Sequence, residues 1–335
     1  MVAQPLLRYA RVVRRVPVFF DPETLRHDTG PYHPESPRRL EAAVSALRMA
    51  GAVFGSPPTP ERTLAAIERV HDVAYVHRFG EACRSAPPDV TGAFSLFDSP
   101  DNPISAWSFG AAVRATALAL AAADVVMAGR ADAVFVAARP PGHHALADTA
   151  MGYCFFNSVA VVARDLIATH GLSRVLIADF DVHHGNGTQH LFWEDGQVAY
   201  LSVHRFPFYP GTGAADEIGA GRGRGTTVNV PLPAEAGDAA YAGGFAVALE
   251  RLAERFRPEF VLVSAGFDAH VKDPLGGMRV TTEGFGWMTR ALEETAETFG
   301  RGRIVSILEG GYDADAIGAA AVQHHRMLVG ESGLF

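Results

Sequence analysis

The sequence has only two cysteines among its 335 residues, Cys83 and Cys154. They form neither a disulfide framework nor a C-x-x-C site, so we expect a reducing, cytoplasmic location. We find no apolar stretch long enough to span a bilayer, and residues 1–15 lack the continuous apolar segment of a signal peptide. Positive charge is also in deficit: a net charge of −8 and a pI near 5.9 argue against nucleic-acid and anionic-membrane partners.

Apolar residues, by contrast, are abundant and make up 48% of the chain, which is ample for a sizeable core. Apolar runs that end in glycine or polar residues predict buried parallel strands. These runs are 133–138, 175–178, 198–203, 260–265 and 303–308. Helical patterns lie between them at 37–49, 108–127, 158–170, 240–255 and 282–298. The alternation predicts one α/β domain over residues 1–335, with a mostly parallel sheet covered by helices on both faces. Residues 86–103 and 206–225 are predicted to be surface loops that shape a site.

Polar clusters follow several of the predicted strands, where open α/β sheets bind their ligands. Asp179, Asp181 and His183 alternate, so on an extended chain they point the same way. Carboxylate and imidazole together suit zinc, manganese, iron or cobalt. Asp181 and His183, with Asp268 from a later strand, would leave an open coordination position, as a catalytic zinc requires. The alternative for Asp181 and His183 is a strand-end turn with a capping Asp, and Asp268, considered alone, would be assigned to a helix cap.

Two consecutive histidines, His143 and His144, follow a rigid Pro-Pro-Gly turn. They are poorly placed to bind one metal together and better placed as acid and base groups beside it. Asp179 and Asn186 can each orient one ring, and an Asp partner raises imidazole basicity more than an Asn partner does. The two histidines should therefore differ in pKa, which is the condition for separate acid and base roles. Without the neighbouring motifs, such a pair would be assigned to the solvent-exposed surface.

Aromatic and loop residues supply the remaining candidates. Tyr312 follows two glycines and either packs under a loop or donates to a developing oxyanion. Tyr153 and Tyr209 are either core aromatics or walls of a narrow channel that admits a linear aliphatic chain. Asp98 is either a solvated loop carboxylate or a partner for a cation or backbone amide at the rim.

With these motifs assembled, the chain resembles the zinc-dependent histone deacetylase superfamily, which includes the bacterial acetylpolyamine amidohydrolases. The Asn186 position and the Glu309-Gly-Gly-Tyr312 form are similar to the class II branch and its bacterial relatives. The resemblance spans nearly the whole chain in order. Its segments are 33–39, 139–144, 152–157, 179–187, 209–213, 264–268, 273–275 and 308–312.

The resemblance implies an arginase-like α/β fold of three layers with one catalytic zinc. The zinc ligands would be Asp181, His183 and Asp268. His144 would be the general base and Tyr312 the residue that polarises the carbonyl. His143 would be the companion electrostatic catalyst or acid, and the orienting pairs would be His143–Asp179 and His144–Asn186.

The resemblance also implies a substrate tunnel and structural potassium. Tunnel-wall positions are Gly152, Tyr153, Tyr209 and Leu275, with Asp98 placed at the rim by loop spacing and Arg39 in an internal acetate-release channel. One potassium ion would be held by Asp179, Ser202 and Val203 together with the backbone of Asp181 and His183. A second potassium would lie around Phe192, Asp195 and Val198.

The function expected from this resemblance is hydrolysis of an N-acetylated alkylamine, most readily acetyl-lysine in a protein or peptide. An acetylpolyamine is the alternative substrate, and the absence of a large insertion favours the lysine type. An arginase-like dimanganese hydrolase is disfavoured because His184, Ala269 and His270 stand where further Asp residues would be expected. A non-catalytic acyl-lysine binder is the other alternative, and the oligomeric state is left open.

Overall fold

The central feature of the computed structural model, which describes residues 14–88 and 95–331, is a parallel sheet of eight strands. Its strands are β1 (Val18–Phe19), β2 (Phe54–Gly55), β5 (Ala133–Val136), β6 (Val175–Asp179), β7 (Val198–Arg205), β8 (Thr227–Leu232), β9 (Phe260–Ala265) and β10 (Ile304–Leu308). A separate antiparallel hairpin consists of β3 (Ser95–Phe97) and β4 (Ser99–Ile104). The order across the large sheet is β2-β1-β5-β10-β9-β6-β7-β8, and neighbouring strands within it are parallel.

Helices cover both faces of this sheet. They are α1 (Pro37–Met49), α2 (Thr63–Ile67), α3 (Val73–Ser85), α4 (Ser108–Met127), α5 (Ser158–Ala168), α6 (Asn186–Leu191), α7 (Asp238–Tyr241), α8 (Val247–Phe256), α9 (Thr282–Phe299) and α10 (Ala314–Val329). Helices α2 to α5 contribute to the core on one face, and α1, α8, α9 and α10 contribute to the core on the other. The predicted three-layer α/β architecture is therefore confirmed.

Strand β9 shows why the central strands have nearly continuous apolar sequences. Phe260 and Leu262 belong to the core on one face, whereas Val261, Val263 and Ala265 belong to the core on the other. Successive side chains on a strand point to opposite faces, so a strand covered on both sides is apolar at nearly every position; the exception in β9, Ser264, bonds Glu309. This double burial leaves the ends of the strands as the place where polar groups can gather.

The predicted elements are present, with boundaries that differ by a few residues, but several others were not predicted. The predicted helix at 240–255 is divided, because a π-helical turn at Ala242–Ala246 separates α7 from α8. The predicted loop at 86–103 contains the β3–β4 hairpin, and residues 89–94 of it lie outside the described residues. Strands β1 and β2, at one side of the sheet, are only two residues long, too short for an apolar pattern to show.

Helix α4 corrects the expectation drawn from apolar stretches. By length and composition it could cross a membrane, so the statement that no stretch is long enough was wrong. However, 67% of its apolar window is buried inside the fold, which is typical of a core helix in an α/β protein. The absence of a signal peptide stays a prediction, because residues 1–13 lie outside the described residues.

Candidate active site

Four adjacent parallel strands bring the polar motifs together at one edge of the sheet. In the order β5, β10, β9 and β6, these strands lie side by side and point the same way. The histidine pair follows β5, Tyr312 follows β10, Asp268 follows β9, and Asp181 and His183 follow β6. The convergence predicted from topology is therefore what the structure shows.

Asp181, His183 and Asp268 form a cluster of potential metal ligands at this edge, with ligand atoms all within 4.8 Å of one another. The Nδ1 atom of His183 lies 3.0 Å from Asp181 Oδ1 and 3.1 Å from Asp268 Oδ2. The remaining oxygen of each carboxylate accepts a backbone N–H at 2.8 Å, from Gly310 to Asp181 and from Val182 to Asp268. One oxygen of each carboxylate thus lies beside His183 Nδ1 while the other is held by a backbone N–H, and Asp181 Oδ1 also accepts the His183 backbone N–H at 2.9 Å.

The charges of this cluster indicate that it binds a metal cation. Asp181 and Asp268 are both buried, and burial together with the Asp181 charge raises the pKa of Asp268 to about 7. The two carboxylates also raise the pKa of His183 to about 9, against the effect of its burial. Two buried like charges are costly without a compensating ion. Ligand atoms about 3 Å apart fit around one ion with bonds of about 2.0–2.2 Å, so these residues fit zinc.

Gly310 shows how closely the backbone approaches this cluster. A Cβ atom at this position would lie 2.2 Å from Asp268 Oδ2 and 2.5 Å from Asp181 Oδ2. Any side chain here would therefore displace the carboxylates, and its own N–H could no longer bond Asp181. The glycine that follows Glu309 is a requirement of the cluster.

The two histidines are held by different partners. His143 Nδ1 lies 3.1 Å from Asp179 Oδ2, and His144 Nδ1 lies 2.7 Å from Asn186 Oδ1. Burial lowers the pKa of His143, but the carboxylates of Asp181 and Asp179 outweigh it and raise the value to about 10. Burial and the neighbouring His143 and His183 lower the pKa of His144 well below 6.5. Near neutral pH, His143 is therefore a cation and His144 is a neutral proton acceptor.

Two further residues that support the histidines were missed at the sequence level. The Tyr200 hydroxyl donates to Asp179 Oδ2 at 3.0 Å. The buried Glu309 carboxylate accepts the backbone N–H groups of Gly142 at 2.6 Å and His143 at 3.3 Å, and its other oxygen accepts the Ser264 hydroxyl at 3.1 Å. Glu309 thereby fixes the turn that carries both imidazoles. Its position as a charged residue directly after a buried apolar strand was the signal that could have identified it.

A narrow cavity of about 260 Å³ leads to the cluster. It is lined by Asp101, His144, Gly152, Tyr153, His183, Phe208, Tyr209, Leu275 and Tyr312. The predicted tunnel positions Gly152, Tyr153, Tyr209 and Leu275 are all among them. Phe208, which was not predicted, stacks on His183 with ring centroids 5.3 Å apart. The walls are thus largely aromatic and suit a thin, apolar chain.

Tyr312 lies at the inner end of this cavity with its ring held on two sides. Its ring meets Tyr153 edge to face at 6.0 Å, and the guanidinium of Arg39 lies 4.7 Å from its centroid. Its backbone N–H donates to Asp273 at 2.7 Å. Burial raises the pKa of the phenol well above 10, so it stays protonated and can donate a hydrogen bond. Arg39 is buried and bonds Glu35 at 2.9 Å beside this tyrosine.

Asp98 has the cation and backbone-amide partners that one of its two interpretations expected, but it is not among the residues that line the cavity. It bonds the guanidinium of Arg78 and accepts the backbone N–H of Ala150 at 3.0 Å. The carboxylate at the cavity is Asp101, with Tyr209 Oη 3.4 Å from its Oδ2. The β3–β4 hairpin turns at Asp98, and its register shift between Leu96 and Phe97 decides which carboxylate faces inward. Loop spacing in the sequence carries no information about that register.

The residues predicted for potassium are partly brought together. Asp179 and Ser202 are paired neighbours on β6 and β7, and Val203 follows on β7. The Ser202 hydroxyl lies 2.8 Å from His204 Nδ1. At the second proposed position the Asp195 carboxylate is already paired with Arg164, whose guanidinium lies 4.7 Å from the Phe192 ring. The side chain of Asp195 is therefore neutralised without a metal ion.

Comparison with known proteins gives consistent matches. The family model described as "Histone deacetylase domain" matches residues 33–328. The chain is 38% identical to "Histone deacetylase 14, chloroplastic" of Arabidopsis thaliana, over 90% of this chain and 74% of that protein. It is 39% identical to "Histone deacetylase-like amidohydrolase" of Pseudomonas aeruginosa, over 90% of this chain and 82% of that protein. A crystal structure of the "HDA15 HD domain" matches with a TM-score of 0.87 and 36% identity, covering 96% of this chain and 90% of that one.

Proposed function

This chain belongs to the histone deacetylase family, and we propose that it is a zinc-dependent amidohydrolase that removes acetyl groups from N-acetylated alkylamines. The proposed substrate is acetyl-lysine in a protein or peptide, with an acetylpolyamine as the alternative. One observation carries the proposal: the Asp181–His183–Asp268 cluster lies at the floor of a narrow aromatic cavity, beside a neutral histidine. This arrangement provides a metal site, a proton acceptor and a channel in one place.

The residues divide the chemistry between them. Asp181, His183 and Asp268 would hold the zinc ion, which would provide the Lewis acid that activates water and polarises a carbonyl. His144 accepts the proton of the attacking water, because its Nδ1 faces the Asn186 oxygen and its Nε2 is left as the basic nitrogen. The Tyr312 hydroxyl donates to the oxyanion that develops on the acetyl carbonyl. His143, which is protonated, supplies a positive charge and a proton for the leaving amine.

The cavity supports an N-acetylated chain as substrate. Its aromatic walls exclude bulky groups along the channel, while Asp101 places a carboxylate among the lining residues. A carboxylate there, in a chain with a net charge of −8, favours a cationic molecule. Acetylation removes the charge of a lysine side chain, so the cationic candidates are an acetylpolyamine, through its remaining amines, and an acetyl-lysine peptide with basic neighbouring residues. The lining alone does not separate these two.

A dinuclear manganese hydrolase is not favoured by the geometry. Within residues 14–88 and 95–331, no fourth His, Cys, Asp or Glu joins the Asp181–His183–Asp268 cluster. His184 lies 2.8 Å from the Thr212 hydroxyl and 3.1 Å from Gln189, and His270 lies 3.2 Å from the Thr282 hydroxyl. Neither histidine is available as a ligand for a second ion in the cluster.

The substrate class is tested by measuring kcat/KM for acetyl-lysine peptides, acetylputrescine and acetylspermidine with the zinc-loaded protein. We expect the peptides to be hydrolysed with the highest kcat/KM. Acetylpolyamine turnover that far exceeds peptide turnover would assign the alternative substrate while leaving the zinc hydrolase in place. No turnover of any acyl amide would favour a non-catalytic acyl-lysine binder.

The pH dependence of turnover should separate the two histidines. Asp179→Asn removes a carboxylate that raises the pKa of His143, so the alkaline limb of kcat/KM against pH should move to lower pH by about 1–2 units. Asn186→Asp adds a carboxylate beside His144 and raises its pKa, so the acid limb should move to higher pH. Identical profiles for both variants and the wild type would remove these pairs from the mechanism.

Glu309 offers a test of how the histidine turn is held. Glu309→Gln leaves one acceptor oxygen where two are used, so the turn at Gly142 loses part of its support. We expect kcat to fall roughly 10-fold with a small change in KM, as for other groups that orient catalytic ligands. Ser264→Ala is the matched control, because it removes only the hydroxyl on the other carboxylate oxygen. An equal loss in both variants would point to general destabilisation instead of support of the turn.

A further inference from the structure

A second cavity, of about 520 Å³, lies at the opposite edge of the sheet from the active site. Its lining includes residues that directly precede three central strands: Arg174 before β6, Glu259 before β9 and Arg303 before β10. The carboxyl ends of the same strands carry the metal cluster and Tyr312. A strand of five residues is about 17 Å long, so the two cavities are separate sites.

Arginine dominates the charge of this cavity. Arg174, Arg257, Arg301 and Arg303 line it, against a single carboxylate from Glu259. This is a local excess of three positive charges in a chain whose net charge is −8. Glu259 is already engaged, since one of its oxygens accepts the backbone N–H groups of Ser173 at 2.8 Å and Arg174 at 3.0 Å.

Among the residues that the structure describes, three of the four guanidinium groups have no anionic partner. Within residues 14–88 and 95–331, those of Arg257, Arg301 and Arg303 have neither a hydrogen-bond acceptor nor a carboxylate. Arg257 only covers the Phe299 ring, at 5.6 Å from its centroid. Like charges held around one cavity repel each other, so an anion bound between them would be stabilised.

The ends of neighbouring helices explain the presence of only two of these four arginines. Arg257 and Arg301 follow the carboxyl ends of α8 and α9, where a cation interacts favourably with the helix dipole. Arg174 and Arg303 instead stand at strand entries and have no such role. The undescribed residues 1–13 contain arginines and no carboxylate side chain, so none of their side chains could neutralise the positive charge of the cavity.

We infer that this cavity binds a small molecule that carries two or more phosphate groups. The planar guanidinium group pairs with phosphate through two parallel hydrogen bonds. Arg174 Nε donates to the Arg257 carbonyl at 2.9 Å, and Arg301 and Arg303 are two residues apart, so short stretches of chain bring all four arginines to one cavity. Four guanidinium groups can pair with more than one phosphate, and the cavity has the size of a small-molecule site.

The inference is tested by calorimetric titration of the full-length protein with fructose 1,6-bisphosphate as the probe, at physiological ionic strength. We expect saturable binding of one molecule per chain, weakened about 10-fold or more in Arg301→Gln/Arg303→Gln because two bidentate contacts are lost. Arg222→Gln/Arg224→Gln is the matched control, since these exposed arginines carry the same charge and do not line the cavity. The control should bind the probe as the wild type does.

Turnover of an acetyl-lysine peptide provides the check on folding, because the arginine cavity lies outside the catalytic site. Both double variants should keep wild-type turnover if they fold. If the cavity variant loses turnover, the single variants Arg301→Gln and Arg303→Gln are titrated with the same probe instead. Absence of saturable binding by the wild type would overturn the inference. Equal weakening in the cavity and control variants would also overturn it, since general electrostatic attraction would then explain the binding.

Discussion

Replacement of Asp268 by Asn is expected to lower deacetylase turnover at least about 1,000-fold and to remove bound zinc from the purified protein. The Asp268 carboxylate has one oxygen bonded to the Val182 N–H at 2.8 Å and the other 3.1 Å from His183. The amide of Asn retains a single oxygen, and a neutral ligand holds a divalent cation more weakly than a carboxylate. Metal content and kcat should therefore fall together.

Stability measurements distinguish this loss from misfolding. Because burial and Asp181 raise the pKa of Asp268 to about 7, its ionised form destabilises the metal-free fold above that pH. The metal-free variant should consequently unfold at a temperature equal to or above that of the metal-free wild type at pH 8. Added zinc should stabilise the wild type and leave the variant unchanged. Asp98→Asn, outside the cavity, serves as the carboxylate control, and an Asp268→Asn protein with wild-type zinc content would contradict the assignment.

Replacement of Tyr312 by Phe should lower kcat by roughly 10²-fold while KM changes little. Phe keeps the ring that packs against Tyr153 and Arg39 and removes only the hydroxyl. That hydroxyl stays protonated because burial raises the pKa of Tyr312 well above 10, so it is a donor throughout the working pH range. The loss should therefore fall on the step in which the oxyanion forms.

Two controls show whether the loss of kcat comes from the Tyr312 hydroxyl itself. Tyr153→Phe removes the hydroxyl of the facing ring and should reduce kcat far less, since Tyr153 lines the cavity without a proposed catalytic role. Zinc content and thermal stability of the Tyr312→Phe protein should equal those of the wild type. An unchanged kcat would remove Tyr312 from the mechanism.

The sequence was informative where a strand end determines the position of a side chain. Asp181, His183, Asp268 and Tyr312 all follow buried strands, and parallel strands bring their ends to one edge, so their convergence could be predicted. The sequence could not distinguish Asp98 from Asp101, because the register of a short hairpin decides that Asp101 lines the cavity while Asp98 bonds Arg78 of α3 and the Ala150 N–H. Glu309 was passed over because its partners are backbone N–H groups from a turn 167 residues away.

One zinc ion in the Asp181–His183–Asp268 cluster is expected to support amide hydrolysis. The most direct test of this expectation is titration of the metal-stripped protein with zinc, while acetate release from an acetyl-lysine peptide or acetylspermidine is followed. Turnover should rise linearly and saturate at one zinc per chain in the wild type, and should not rise in Asp268→Asn. Saturation at two metal ions per chain, or full turnover by the metal-stripped protein, would contradict the account.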